Sequence, residues 1–98
     1  MKTKFTEGPW VVSGSYIKCE KGHIAQSKAI FLNNKQLIAN AHLIAAAPDM
    51  YKEIEQDILW LQRLSEDYVI GSYELRSCIL RIKTKKSLLA KARGESNE

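Results

Sequence analysis

The stretch Asn33-Asn34-Lys35-Gln36-Leu37-Ile38-Ala39-Asn40-Ala41-His42-Leu43-Ile44-Ala45-Ala46-Ala47-Pro48 decides the fold. Read one way, Asn33-Asn34 turns a hairpin and Lys35–Ala39 is a strand. Read the other way, Asn33 caps a helix and Gln36, three residues on, completes a capping box. The helical reading is preferred, because Leu37, Ala41, Ile44 and Ala45 then share one face. Ala29–Leu32, just before it, extends the preceding strand or forms an edge. Pro48 ends or kinks the helix and can open the next, since proline suits a first helical turn.

Toward the N-terminus the pattern is short strands and turns. Gly8-Pro9 is a breaker pair before Trp10-Val11-Val12. Ser13-Gly14-Ser15 and Glu20-Lys21-Gly22 are turns that flank Tyr16-Ile17-Lys18-Cys19, and His23-Ile24-Ala25-Gln26 is a third strand. Toward the C-terminus a helix is expected from about Pro48 to Glu66, with Tyr51, Ile54, Ile58, Leu61 and Leu64 as its apolar stripe. Gly71-Ser72 breaks the chain. A last helix follows from about Tyr73 to Ala92, with Leu75, Ile79, Ile82 and Leu89 inward and Gly94 as a C-terminal cap candidate. The fold class is therefore α+β: a short N-terminal antiparallel β-meander packed on a C-terminal helical hairpin. A single domain over residues 1–98 is expected, mainly β over 1–32 and mainly α over 35–93, with a frayed tail at 94–98.

At 98 residues the chain buries roughly 60 to 65% of its unfolded surface, so the core is thin. Thin cores and open sheet edges both favour a homo-oligomer. No apolar run spans a bilayer, and Lys2 and Lys4 lead into Phe5-Thr6-Glu7-Gly8 rather than a leader-type apolar segment. A cytoplasmic location without membrane attachment is the expectation, with Cys19 and Cys78 reduced. The net charge of +4 permits a nucleic acid, a nucleotide or an acidic protein as partner and demands none.

That charge is unevenly spread. Asp49, Glu53, Glu55, Asp57, Glu66 and Asp67 dominate the second helical region, against Lys52 and Arg63. Arg76, Arg81, Lys83, Lys85, Lys86, Lys91 and Arg93 dominate the third, against Glu74. An antiparallel hairpin would set complementary fields side by side.

The segment Ala39-Asn40-Ala41-His42-Leu43-Ile44-Ala45-Ala46-Ala47-Pro48-Asp49-Met50-Tyr51 resembles a block recurring in small tailed-phage and prophage accessory proteins. Those proteins show Asn-Ala-x-Leu-Ile-Ala-Ala-Ala-Pro before an amphipathic helix and often a Gly-Pro-Trp near the start, matched by Gly8-Pro9-Trp10. A basic, Ala-rich final helix is matched loosely by Leu88–Arg93. The resemblance implies a non-structural phage protein of host takeover or evasion of antiviral defence, and supplies no catalytic residues. Read physically, the alanine triplet makes a tight packing corner, and Asp49 counts against anion binding at the helix start.

Cys19, His23, His42 and Cys78 have the composition of a zinc site but no zinc spacing. A Cys19–His23 pair across a turn lacks a third group to orient it. Glu53 and Asp57, four apart, read as solubilising charges. Phosphate loops, nucleophile elbows and metalloprotease signatures are missing from the sequence. The expectation is a protein that is not an enzyme and has no cofactor, metal or catalytic residue. Trp10, Tyr16, Phe31 and Tyr51, interleaved with Lys18, Lys21, Lys28 and Lys35, supply rings for bases and ammonium groups for phosphates, while Trp10 and Trp60 are expected mainly in the core; Trp10, Tyr16 and the four lysines are the candidate ligand-binding set. Arg81, Lys85 and Lys86 form a second basic set on the last helix. The functional expectation is a binder that neutralises a host defence protein or sequesters an anionic signal nucleotide. The alternatives are a DNA- or RNA-associated regulator using the basic helix, or a small nucleotide-acting enzyme.

Overall fold

In the computed structural model, which describes residues 4–95, the elements follow the order β1 (Val11–Ser13), β2 (Tyr16–Cys19), β3 (Gly22–Gln26), α1 (Asn34–Ala45), α2 (Ala47–Ser65) and α3 (Tyr73–Ala92). The class is α+β, as the patterning requires. Two compact units divide the chain: Phe5–Met50, and the described residues from Tyr51 onward together with Lys4.

The first unit is a three-stranded antiparallel meander, β1-β2-β3, covered by α1. Gly14, at φ 63°, opens the two-residue loop joining β1 to β2. Such tight hairpin loops need the left-handed backbone that glycine adopts without strain. Beyond β3 the ladder continues for one bond, from the buried Ser27 N–H to the Ser15 carbonyl at 2.8 Å.

Strand alternation sends Ile17 inward, where it is 0% exposed. Its cross-strand partners are Val12 and Ala25. Ala41 of α1 is equally buried, and Leu37, Ile44 and Ala45 are half-buried. Burying an isoleucine of this kind contributes about 1.5 to 3 kcal/mol.

The deciding stretch is a helix. The Asn33 side chain accepts from the Gln36 N–H at 2.8 Å, and the Gln36 side chain accepts from the Asn33 N–H at 3.2 Å. The reciprocal box satisfies two donors that a helix start leaves open. Ala29–Leu32 carries no strand. At the other end, Ala46 alone separates α1 from α2. Its N–H donates to the His42 carbonyl at 3.1 Å, and its carbonyl accepts from the Met50 N–H at 3.0 Å. Pro48 has no N–H to offer the Ile44 carbonyl, so the helical ladder is interrupted there.

The expected alanine corner needs adjustment. Ala45 and Ala46 are half-buried and Ala47 is exposed. The close approach is instead made by Gly8 and Pro48. A Cβ at Gly8 would stand 3.2 Å from Pro48 Cβ and 3.6 Å from Pro48 Cγ. Pro48 is itself buried. The Gly-Pro-Trp and alanine–proline segments, forty residues apart in sequence, thus meet. The Gly8–Pro9 peptide is cis.

In the second unit α2 and α3 are linked by side chains. Arg93 donates to the Tyr51 hydroxyl at 2.7 Å, and Lys85 pairs with Asp57 at 3.3 Å. As α2 advances from 51 to 57, its partners recede from 93 to 85, so the helices are antiparallel. Tyr51, Ile58 and Leu61 are buried on α2, with Ile54 and Leu64 half-buried. On α3 the buried residues are Cys78 and Leu89, with Leu75 and Ile82 half-buried.

Two expectations fail here. Ile79 is 55% exposed, because the inward stripe steps Leu75, Cys78, Ile82, Lys85, Leu89, in alternating threes and fours, and passes it by. Trp60 is 61% exposed. It lies nine residues beyond Tyr51, and at about 100° per residue that is half a turn away from the buried stripe.

Ser72 caps α3 by accepting from the Leu75 N–H at 3.1 Å. The far end closes on Gly94, at φ 76°. The Glu95 N–H reaches the Ala90 carbonyl and the Gly94 N–H reaches that of Lys91, at 2.9 and 3.0 Å. This is a Schellman closure with glycine at the left-handed position. Gly94 and Glu95 of the expected frayed tail are therefore held, and residues 96–98 lie outside the described residues. No described helix is long and apolar enough to cross a membrane.

Candidate functional site

Strand pairing sorts the expected platform residues by face. Tyr16 pairs with Ser13 and Gln26, while Lys18 pairs with Val11 and His23. Residues paired in register share a face, so these side chains lie on the side of the sheet opposite Ile17. The register shifts between Ile17 and Lys18. That irregularity leaves one extra residue in β3, while the two-residue turn Glu20-Lys21 sets His23 opposite Lys18. The Tyr16 and His23 rings meet at a centroid distance of 4.8 Å and a tilt of 39°, within the range of favourable ring pairs. Tyr16 is 41% exposed and His23 is exposed. Lys18 is half-buried, and Lys21 stands exposed in the adjoining turn. The Lys21 N–H donates to Cys19 Sγ at 3.3 Å, which ties down that turn.

The result is a small open surface: two rings in tilted contact, Lys18 on the same face and Lys21 in the adjoining turn. Rings offer a π-face to a base, and ammonium groups offer point charges to phosphate.

Other expected residues are placed elsewhere. Trp10 precedes Val11 and has the parity of Val12, on the inner side. It is half-buried, and its Nε1–H donates to the Thr6 carbonyl at 3.0 Å. It does not join Tyr16 and His23. Lys28 sits exposed in the loop after β3, and Lys35 is exposed in the first turn of α1. Arg81, Lys85 and Lys86 belong to α3 in the second unit. Arg81 and Lys86 are exposed there, whereas Lys85 is spent on Asp57. Phe31 is 96% exposed and Tyr51 is buried.

His23 is a residue that sequence reasoning missed, since the zinc-type set and the Cys19 pair are the only roles its spacing suggests and both are set aside. Cys19 pairs with Gly22 and has the inward parity of Ile17, while His23 lies on the outer face with Lys18. The available signal was the two-residue turn Glu20-Lys21, which sets His23 near Lys18, but the register shift was invisible. Among the described residues, no group of three or more His, Cys, Asp or Glu side chains comes together. Cys78 is buried, Cys19 is half-buried, and both are free.

A family model described as Salmonella phage P22 protein Y8K6 matches residues 1–96. The chain belongs to that family. Its origin is therefore a bacteriophage one, in agreement with the phage resemblance expected from sequence. No curated protein and no solved structure shows significant similarity to the chain.

One further charged cluster ends α3 of this phage-family chain. Arg93 donates to both Glu95 carboxylate oxygens, at 2.9 and 3.1 Å, as well as to Tyr51. The Glu95 hydrogen bond, then that of Tyr51, holds the guanidinium above its ordinary range. Chiefly through the Arg93 hydrogen bond, the Glu95 carboxyl is held below its own. Glu95 follows the helix end and Tyr51 belongs to α2, so the cluster reads as a clasp of the α3 terminus onto α2.

Proposed function

We propose that this protein is a non-enzymatic phage accessory protein that neutralises a host antiviral factor by binding, and that its ligand is a negatively charged signal nucleotide. The observation that supports it is the Tyr16–His23 ring pair, 4.8 Å between centroids, on the exposed sheet face beside Lys18. A base stacks on the rings, and the phosphates lie toward Lys18 and Lys21. Stacking of this kind contributes about 1 to 3 kcal/mol per base. An ammonium–phosphate contact adds charge attraction without fixing orientation. Phage origin supports the setting of host defence, where removal of a signal needs only tight retention.

The experiment is calorimetric titration with a panel of cyclic mono- and dinucleotides, with inorganic phosphate as control. Tyr16→Ala and Lys18→Glu should each weaken a bound member at least about tenfold, the equivalent of 1.4 kcal/mol. The bound nucleotide should be recovered unchanged after denaturation. Recovery of a cleaved product would make the protein an enzyme. Failure of the whole panel to bind, or binding indifferent to both variants, would sink the nucleotide reading.

A further inference from the structure

Across the sheet, Tyr16 stands between Ser13 of β1 and Gln26 of β3. The Ser27 N–H donates to the Ser15 carbonyl at 2.8 Å. One position inward, Tyr16 and Gln26 are therefore a non-hydrogen-bonded pair, the kind of antiparallel pair whose side chains stand closest. Such pairing sets the two Cβ atoms about 4.5 to 5.5 Å apart. Gln26 is exposed, and its amide has no hydrogen-bond partner among the described residues.

The outer face has a direction. Lys18 lies two residues from Tyr16 along β2, about 7 Å, and His23 is its cross-strand partner. The His23 ring thus meets Tyr16 from the Lys18 end. Gln26, three residues beyond His23 in β3, flanks Tyr16 away from that end. Phosphates held by Lys18 and Lys21 leave a base over the Tyr16 ring. The base edge farthest from the sugar then points toward Gln26.

We propose that Gln26 reads this edge and makes the face selective for adenine nucleotides, an inference that rests on the nucleotide reading of the face. A glutamine amide offers a donor and an acceptor side by side. The far edge of adenine carries the N6 amine, with a ring-nitrogen acceptor on each flank, N1 or N7. The amide completes two hydrogen bonds on either flank, and glutamine pairs with adenine in this way on nucleic acids. Guanine carries O6 at the same place. Only its N1–H flank complements the amide, because the N7 flank sets two acceptors together. Cytosine and uracil have one matching flank and a single ring, so their edge falls short when the phosphate is fixed. Ser13, exposed on the other side of Tyr16, donates or accepts and adds no preference.

NMR titration of the full chain with the cyclic monophosphates of adenosine, guanosine, cytidine and uridine tests the inference. These probes share one sugar and one phosphate and differ only in the base. Cyclic AMP should bind about tenfold or more tighter than the other three, with shifts in the backbone amides of β2 and β3. Gln26→Leu removes the amide at an exposed position and keeps a side chain of similar size. It should cut the preference to about threefold or less while cyclic GMP binds as before. Tyr16→Ala should weaken all four. If the four bind equally and Tyr16→Ala weakens each, the sheet-face reading stands and the adenine inference is overturned. An adenine preference that survives Gln26→Leu, or a preference for another base, overturns it as well. No binding by any of the four at millimolar concentration overturns both readings, as does binding that leaves β2 and β3 unmoved.

Discussion

Gly8→Ala tests whether two distant sequence segments meet as the structure places them. The added methyl carbon would lie 3.2 Å from Pro48 Cβ and 3.6 Å from Pro48 Cγ. Relaxed carbon–carbon contacts lie at about 3.5 to 4.0 Å, so the closer contact is short by a few tenths of an ångström. Pro48 cannot rotate away. Its ring is closed, it is buried, and it stands in the first turn of α2 beside the break at Ala46. Overpacking of this kind costs about 1 to 3 kcal/mol. Opposing it, alanine lowers the entropy of the unfolded chain, worth about 0.4 to 1 kcal/mol. The expected net effect is a loss of about 0.5 to 2 kcal/mol. Urea unfolding followed by circular dichroism measures it. Pro48→Gly in the same background removes the Cβ that the new methyl meets, and should recover about 1 kcal/mol of coupling in a double-mutant cycle. A neutral or stabilised Gly8→Ala, with the two changes simply additive, would refute the contact between these segments.

Ile17→Ala should cost about 2 to 5 kcal/mol in the same assay, since Ile17 is the largest fully buried side chain among the described residues. Asn33→Ala removes one half of the capping box and should lower stability by about 1 kcal/mol, with the loss seen first in hydrogen exchange of the α1 start. Cys19→Ser combined with Cys78→Ala should leave ligand binding unchanged in a folded variant; loss of binding would mean that a thiol takes part. Glu95 tests the α3 clasp by pH. Its folded carboxyl is held below the ordinary range by Arg93, so its stabilisation is present above the unfolded value of about 4.3 and is lost as pH falls through the lower folded value. A carboxyl NMR titration should place its midpoint below that of a short peptide, and Arg93→Gln should return it.

Local chemistry made much of this protein legible from sequence. Asn33 and Gln36 carry the capping box within four residues, so the helix they start can be read without knowing what it packs on. Gly94 and Ser72 act on backbone groups a few residues away, and α3 accordingly spans the expected residues. Alternation around Ile17 and the stripe from Tyr51 to Leu64 are likewise periodic signals, set by the geometry of one strand and one helix. What the tertiary structure decided is which of several equivalent neighbours is used. A stripe through Leu75 can proceed by Cys78 or Ile79, and only the opposing helix selects Cys78. Trp60 is bulky enough for a core, yet the turn of α2 that buries Leu61 points it outward. Ala25 rather than Ile24 stands opposite Ile17 because β2 and β3 shift register after Ile17, an offset that neither strand encodes alone. Gly8 and Pro48 meet across forty residues, a contact of shape between two segments whose local sequences specify only a breaker and a helix start.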